Sequence, residues 1–308
     1  MGVAPMHTRA CPASRPAAGR QRLAVRAGLG AEVQAYAAAA TVAHPGLLYG
    51  TGVNSAVFAL GYGVLRKGLT VAGVAHAWVL GTSVYAAFGW GGHLLMCLYF
   101  ALGTAVTKLK LKQKQAEGIA EARSGQRGPA SVWGSGLAAV MCAWGALLTG
   151  SYGVLSGSYD LWQIGFVASV CSKLSDTVSS EVGKWAAVCN KLSDTMSSEV
   201  GKAYGKTTFL ITTFERVPRG TEGAVSAEGT MAGIAAAALF SGVALGVGQV
   251  DPLAAAIVAA AAVAANTFES YLGAVVQGKV AWLTNDGVNM IQICVAAALA
   301  MAARAALG

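Results

Sequence analysis

Charged residues are scarce in this chain of 308 residues. Asp, Glu, Lys and Arg make up 12% of it and hydrophobic residues 55%, whereas a soluble globular protein carries about a quarter charged residues. The mean hydropathy of +0.54 and the 40 glycines are typical of transmembrane helices, in which small residues let helix backbones approach closely. This composition argues strongly against a soluble enzyme of one or two domains.

Metal-binding and disulfide motifs are also lacking. The six cysteines form no CxxC pair and lie mostly within apolar stretches, which is typical of small buried hydrophobic residues. The four histidines show neither HxxxH nor HExxH spacing, so we expect no zinc site. The stretch GKAYGKT at 201–207 resembles a P-loop, but it has three residues between its glycines instead of four, and it predicts no Walker site.

The N-terminal segment 1–40 lacks the apolar run of a secretory signal peptide. It is rich in Ala, Arg, Pro and Gly, and five arginines precede its first acidic residue, Glu32. This composition predicts a disordered transit peptide for import into an organelle, to the chloroplast stroma or the mitochondrial matrix, with a merely disordered tail as the alternative. An integral membrane domain follows at 41–308. Import and membrane topology account for the net charge of +8, so we expect no nucleic-acid partner.

Apolar runs long enough to cross a bilayer, which takes about 20 residues, predict an all-α, polytopic transmembrane helix bundle with about seven or eight spans. We place the spans near 47–65, 69–88, 91–107, 132–149, 161–180, 229–250, 252–277 and 287–307. Lys and Arg occur in the loops after the first, third, fifth and seventh spans and not in the others. The positive-inside rule therefore puts the charged loops on one face, which is the stromal face in a plastid inner-envelope protein.

A segment of fourteen residues occurs twice in the chain. CSKLSDTVSSEVGK at 171–184 recurs 18 residues later as CNKLSDTMSSEVGK at 189–202, with twelve identical positions. On one continuous helix the two copies would lie about 27 Å apart along the axis, so they could not contact the same partner residues. We interpret the pair as a recent tandem duplication, or as two alternative exons joined in one gene model, with one functional copy.

The repeated segment predicts an amphipathic helix with an ionisable stripe. At 100° per residue, six polar side chains of each copy share one side of the helix: Lys173, Asp176, Thr177, Ser180, Glu181 and Lys184, repeated as Lys191, Asp194, Thr195, Ser198, Glu199 and Lys202. Ionisable groups at membrane depth are costly unless they line a polar cavity. The stripe therefore predicts a site for a metal ion and phosphates, and an interfacial helix with a solvated face is the alternative.

The seventh span and the loop after it carry a second group of polar side chains. These are Asn266, Glu269, Ser270 and Gln277 in the span, and Asn285, Asp286 and Asn289 beyond it. The carboxylates favour a binding site. The alternatives are hydrogen bonding between helices for the span and an N-cap with Asp on the helix dipole for the loop.

Two other loops could bind phosphate. GTEGAVSAEG at 220–229 precedes the sixth span and could present backbone N–H groups to an anion; the alternative is a plain turn capped by Ser226. The basic loop at 108–128 is either a charge cluster that sets topology or, through Arg123 and Arg127, a binding site for phosphate or lipid headgroups.

Together these motifs resemble those of a known family. The chain contains KLSDTxSSEVGKAYGKTTFLITTFERVPRGTEGAVSxEGT, ANTFESYLGAVVQ, TNDGVN and the loop EGIAEARSGQRGPASVWGS at 117–135. Over about residues 47–308 it resembles the plastid phytyl-phosphate kinases of vitamin E synthesis, in the transmembrane-protein-19-like integral membrane family. The resemblance implies a phosphotransferase that transfers a phosphoryl group from a nucleoside triphosphate, CTP, to phytyl monophosphate, with Mg²⁺. The product, phytyl diphosphate, would feed tocopherol and phylloquinone synthesis.

The resemblance also implies partners and site residues. The partners are an isoprenoid lipid phosphate, the nucleoside triphosphate and membrane lipids, and the location is a chloroplast membrane, the inner envelope. The catalytic group comprises Asp194, Glu199, Lys191 and Lys202, or the twins Asp176 and Glu181. The phosphate- and substrate-binding group comprises Arg123, Arg127, Lys206, Arg219, Thr221, Glu222, Ser226, Asn266, Glu269, Gln277, Asn285, Asp286 and Asn289. Metal ligands are expected among Asp194, Glu199, Glu269 and Asp286.

The family pattern contains the repeated segment once. We expect the second copy to be the functional one, because it runs directly into AYGKTTF as the family pattern does. Three other functions stay open: a phytol or polyprenol kinase, a cytidylyltransferase that makes a CDP-lipid, and a membrane transporter. A transporter would also carry polar stripes, but the chain shows no inverted repeat.

Overall fold

The chain forms long helices, most of which have lengths that match the thickness of a membrane. The computed structural model describes residues 44–109, 111–116, 125–152, 159–194, 208–218, 221, 223–276, 280 and 283–307, and for 113–114, 150–152 and 185–194 it describes the backbone alone. The predicted transit segment at 1–40 lies outside these residues.

Eight helices and one small hairpin make up the described part of the chain. The helices are α1 (Gly46–Gly68), α2 (Val71–Lys108), α3 (Leu111–Ala116), α4 (Pro129–Tyr152), α5 (Tyr159–Asp194), α6 (Ala227–Gly246), α7 (Pro252–Val275) and α8 (Asn285–Leu307). Strands β1 (Phe209–Leu210) and β2 (Ala224–Val225) pair antiparallel. Four helices have an N-cap residue whose side chain accepts a hydrogen bond from the backbone N–H three residues later. The N-cap residues are Thr70 for α2, Ser226 for α6, Asp251 for α7 and Thr284 for α8.

Large apolar side chains cover the outside of the bundle. Five of the described helices, α2, α4, α6, α7 and α8, are long and apolar enough to cross a membrane. Leu60 is 90% exposed and Leu239 is 72% exposed, which suits contact with lipid and not with water. Helix α5 is less apolar because it carries the ionisable stripe. These features confirm the predicted all-α transmembrane bundle.

Helix α2 reverses direction at Gly89, which has φ 60° and ψ −154°. A straight helix of 38 residues would be about 57 Å long. Instead, Lys108 at its end donates a hydrogen bond of 2.5 Å to the carbonyl of Lys67, just before its start. The halves 71–88 and 90–108 are therefore antiparallel and match the predicted second and third spans. With these halves counted separately, eight long helical segments occupy the positions of the eight predicted spans.

Helix α5 lies at the centre and packs against α2, α4, α6, α7 and α8. Two glycines one turn apart on α6 allow it to pack closely against α5. A Cβ on Gly229 would lie 2.6 Å from the carbonyl oxygen of Ser179, and one on Gly233 would lie 3.1 Å from that of Ser175. This small-xxx-small contact brings the polar face of α5 to the N-terminus of α6.

The charged loops meet at one end of the bundle, as their alternation predicts. The backbone of Arg127 exchanges hydrogen bonds with Gly68 and Thr70, at 2.9 and 3.1 Å. At the opposite end Arg304 pairs with Asp251 at 2.6 Å. The backbone N–H of Ala254 has the largest effect in holding the pKa of Asp251 below its ordinary value, and the charge of Arg304 lowers this pKa further.

Candidate active site

A polar cavity of about 360 Å³ lies at the charged end of the bundle. Its wall comprises the polar face of α5, the C-terminal half of α7, the N-termini of α6 and α8, and the segment that leads into α4. Polar residues that are separated by up to more than 160 positions in the sequence therefore meet in one cavity.

The first copy of the repeated segment forms the α5 wall. The lining includes the side chains of Lys173, Asp176, Thr177, Ser180 and Lys184, which share one helix face. Lys173 is 6% exposed. Its ammonium group contacts the Asp176 carboxylate and donates a hydrogen bond of 2.8 Å to Oδ1 of Asn289 on α8. A buried ammonium group needs such partners, because desolvation of a lone charge is costly.

Glu181 belongs to the predicted stripe but lies outside the cavity lining. Its side chain is 2% exposed, and Nζ of Lys184 lies 3.0 Å from its Oε1. Because Glu181 is five residues beyond Asp176, it falls at the edge of the stripe, about 140° around the helix. Its observed place suits a residue that positions Lys184 on the cavity wall.

The second copy lies further along the same helix. The helical backbone of α5 continues to Asp194, so Lys191 and Asp194 lie about 27 Å along the axis from Lys173 and Asp176. The two copies therefore cannot occupy the same place in the cavity. The described residues favour the first copy, and our preference for the second rests on sequence alone. The side chains of Lys191 and Asp194 and the whole of Glu199, Lys202 and Lys206 lie outside the described residues.

Helix α7 contributes Asn266, Glu269 and Ser270 to the cavity wall. The amide of Asn266 lies 3.5 Å from the hydroxyl of Ser175 on α5, so this position also has the role in helix association that we gave as the alternative. Gln277 lies outside the described residues.

The N-termini of α6 and α8 close the cavity. Asn285, Asp286 and Asn289 all line it, and Thr284, not Asn285 or Asp286, caps α8 by accepting a 3.2 Å hydrogen bond from Gly287. Ser226 both lines the cavity and caps α6.

Of the other loop residues assigned from sequence, Thr221 lines the cavity. Arg123, Arg219 and Glu222 lie outside the described residues.

Arg127 lines the cavity and is held there by both its backbone and its side chain. Its guanidinium donates a hydrogen bond of 3.0 Å to the hydroxyl of Tyr99 and lies 5.2 Å from the centre of that ring. Ser131 and Ser135 follow one and two turns later and also line the cavity. Sequence analysis missed these two serines, although serines four residues apart at the start of an apolar helix were an available signal.

Three cations and three carboxylates thus line the cavity: Arg127, Lys173 and Lys184, and Asp176, Glu269 and Asp286. Among the described residues, no group of three or more His, Cys, Asp or Glu side chains could hold a metal ion. Magnesium ions at phosphoryl-transfer sites need only one or two carboxylates, together with the phosphates of the substrate. Asp176, Glu269 and Asp286 therefore offer enough carboxylate oxygens for a Mg²⁺ ion that is held jointly with substrate phosphates.

The fold and the cavity define a class: a polytopic helical membrane protein with a charged, polar site at one membrane face. The model of the integral membrane protein family DUF92 matches residues 54–188 and 185–297, and the chain belongs to that family. The boundary between the two matched ranges falls between the two copies of the repeated segment. Such a break is expected if the family pattern contains one copy.

The chain is also similar to three individual proteins. It is 46% identical over 250 residues to an uncharacterised membrane protein of Synechocystis sp., covering 81% of this chain and 88% of that one. It is 44% identical over 251 residues to the chloroplastic protein VTE6 of Arabidopsis thaliana, covering 80% and 69%. An uncharacterised membrane protein of Methanocaldococcus jannaschii is 28% identical over 201 residues, covering 64% and 70%. No solved structure matches the chain.

Proposed function

We propose that this protein is a phytyl-phosphate kinase that acts in tocopherol and phylloquinone synthesis. It transfers the γ-phosphoryl group of CTP to phytyl monophosphate and releases CDP and phytyl diphosphate. The observation that carries the proposal is the cavity itself, in which three cations and three carboxylates meet at one end of a membrane bundle. The similarity to the chloroplastic protein VTE6 supports the assignment to the plastid pathway.

The cations suit the binding of two phosphorylated substrates. Arg127, Lys173 and Lys184 line one cavity, and together they can neutralise the charge on the phosphates that must approach each other. Phosphoryl transfer depends almost entirely on positioning and on stabilising charge on the transferred group. Lys173 suits this task because Asp176 and Asn289 fix its ammonium group.

The reaction needs no strong general base. An oxygen of phytyl phosphate forms the new bond to the γ-phosphorus of CTP, and the bond from that phosphorus to the β–γ bridging oxygen breaks. The acceptor is already an anionic phosphate monoester, so no proton has to be removed from a poor nucleophile. The cavity accordingly holds cations and carboxylates, and the described part of its lining contains no histidine.

Magnesium ions would enter with the nucleotide. Asp176, Glu269 and Asp286 are the carboxylates that could hold Mg²⁺ beside the phosphates, and the ion would supply charge neutralisation at the transferred group. Asn285 and Ser226 lie at helix N-termini, where anions are favourably placed.

The membrane setting follows from the acceptor. A long isoprenoid tail partitions into lipid, while its phosphate stays at the charged face of the protein. We place the protein in the chloroplast inner envelope, with the cavity on the stromal side, on the basis of the transit segment and the loop charges.

The identity of the products tests the proposal. Purified protein in lipid nanodiscs is supplied with Mg²⁺, CTP labelled at the γ-phosphate and either phytyl phosphate or phytol, with ATP, GTP and UTP in parallel. We expect label in phytyl diphosphate and the highest rate with CTP. Faster phosphorylation of phytol would indicate a lipid-alcohol kinase instead. A CDP-lipid with release of pyrophosphate would indicate a cytidylyltransferase, and substrate movement across the membrane without chemistry a transporter.

A further inference from the structure

A second cavity, of about 320 Å³, adjoins the polar one. It lies between α1, both halves of α2 and the start of α4, and we call it the apolar groove. Its lining is almost wholly apolar and includes Val57, Phe58, Leu65, Leu69, Met96 and Phe100. The proposed reaction mechanism uses none of these residues.

The apolar groove and the polar cavity share part of their walls. Arg127, Ser131 and Ser135 line both. Along α1 the groove runs from Leu69, the residue just after the helix, which pairs with Arg127, back to Val57. Those twelve steps of helix span about 18 Å, more than half of the ~30 Å hydrocarbon core of a bilayer. The groove is thus an elongated apolar channel with a cation at its polar end.

Arg127 is suited to hold a phosphate group at this junction. A guanidinium carries five N–H donors, and Tyr99 accepts one hydrogen bond from it. Within the described ranges, Arg127 forms no ion pair with a carboxylate. Its backbone is fixed by hydrogen bonds to Gly68 and Thr70, so the cation stays where the two cavities meet.

We propose that the apolar groove binds the prenyl tail of the lipid acceptor, with the acceptor phosphate at Arg127. This assignment rests on the proposed function, since it supposes that the acceptor is a lipid phosphate. A tail in the groove places the phosphate at the entrance to the polar cavity, where the nucleotide phosphates lie. The tail is a long branched hydrocarbon, because the accessible surface of the groove is almost wholly apolar away from its polar end at Arg127, Ser131 and Ser135.

Two glycines on α1 provide a matched pair of variants. A Cβ added at Gly61 or at Gly63 meets no atom within 4 Å. Gly61 lines the apolar groove, whereas Gly63 is exposed on the outer side of the helix. Gly61→Phe therefore adds a ring that starts from open space on the wall of the groove, and Gly63→Phe adds the same ring to the same helix outside it. Ala101→Phe, on the opposite wall, repeats the test at a second position.

Photolabelling tests occupancy of the groove without turnover. The probe is phytyl phosphate with a diazirine near the far end of its tail, bound to the full-length protein in nanodiscs and mapped by mass spectrometry. We expect label on residues 57–65 and 96–101, reduced about tenfold or more in Gly61→Phe by the loss of a few buried methylene contacts, and unchanged in Gly63→Phe. Equal labelling in both variants, or label spread over lipid-facing residues such as Leu239, would overturn the proposal.

Tail length provides a kinetic test. Gly61 lies eight residues, or about 12 Å of helix, from Leu69, so a five-carbon tail does not reach it. We expect Gly61→Phe to lower kcat/KM for phytyl phosphate about tenfold and to leave that for isopentenyl phosphate unchanged. An equal loss for both acceptors would overturn the groove assignment. If the groove is labelled but no diphosphate forms, the proposed function is wrong; if diphosphate forms but the groove is unlabelled, the groove assignment is wrong.

Discussion

Lys173 of α5 donates a hydrogen bond of 2.8 Å to the side-chain oxygen of Asn289 on α8, across 116 residues of sequence. The same ammonium group contacts Asp176 one turn along its own helix. This relationship fixes the central helix relative to the helix that brings Asp286 to the cavity. A positive charge so deeply buried is tolerated because both partners are present.

Lys173→Met removes the cation at the centre of the cavity. We expect formation of phytyl diphosphate to fall at least about 100-fold, which is the usual cost of losing one preorganised donor to a developing charge. Initial rates with saturating CTP measure the effect. Lys67→Met is the control, since Lys67 is exposed at the same end of the bundle and outside the cavity, and a similar loss there would refute a specific role for Lys173.

Asp286→Asn tests the carboxylates as ligands for nucleotide-bound Mg²⁺. We expect the Mg²⁺ concentration for half-maximal rate to rise about tenfold or more, because even indirect contacts at metal sites alter metal affinity by 10- to 100-fold. Asp160→Asn is the matched control, because Asp160 lies at the opposite end, near Arg304. An unchanged Mg²⁺ dependence in Asp286→Asn would exclude this carboxylate as a ligand.

Deletion of residues 185–202 tests whether the first copy of the repeated segment is sufficient for the fold and the site. It joins Lys184 to Ala203 and leaves KLSDTVSSEVGKAYGKTT, with the first copy in place. We expect full activity and unchanged thermal stability in detergent, since the wall of the polar cavity is retained.

Deletion of 171–188 is the comparison. It puts Asn190 where Ser172 is now fully buried, so we expect a lower Tm from overpacking. The two shortened chains differ only at the positions of Ser172 and Val178. Loss of activity on deletion of 185–202 would therefore show that the first copy alone does not form the site.

The close contact that Gly229 and Gly233 of α6 make with α5 sets the position of the ionisable stripe. Gly233→Leu forces a side chain against the backbone of Ser175, which lies 3.1 Å from the added Cβ, so we expect a loss of about 1–3 kcal/mol in the free energy of unfolding. Gly242→Leu, on the same helix with open space around it, should be nearly neutral. Denaturation of the two purified variants compares them, and equal stability would contradict the close approach of these helices.

Much of the fold was predictable because a membrane imposes simple rules. Helix lengths follow from bilayer thickness, and the predicted division into separate spans at 69–88 and 91–107 coincides with the reversal that Gly89 makes in α2. The charge alternation predicted which loops meet. The helical period predicted that Lys173, Asp176 and Thr177 share a face, and it placed Glu181 at the edge of that face, where its side chain turns out to be buried beside Lys184.

Other features could not be derived from the sequence for physical reasons. The two copies of the repeated segment are almost identical, so periodicity cannot choose between Asp176 and Asp194. The choice depends on which part of α5 faces α7 and α8. The apolar groove is also invisible in sequence, because apolar side chains that face lipid, a groove or the protein core are of the same types. Only the packing of α1 on α2 distinguishes Gly61 from Gly63.

The central claim is that the first copy of the repeated segment forms the site of phosphoryl transfer to a lipid phosphate. Its most direct test is the rate of phytyl diphosphate formation from phytyl phosphate and CTP by Asp176→Asn, beside the wild type and Asp194→Asn, in protein that inserts normally into membranes. The account predicts a loss of at least about 100-fold in Asp176→Asn, the wild-type rate in Asp194→Asn, and in the double variant the same loss as in Asp176→Asn alone. A wild-type rate in Asp176→Asn would contradict it.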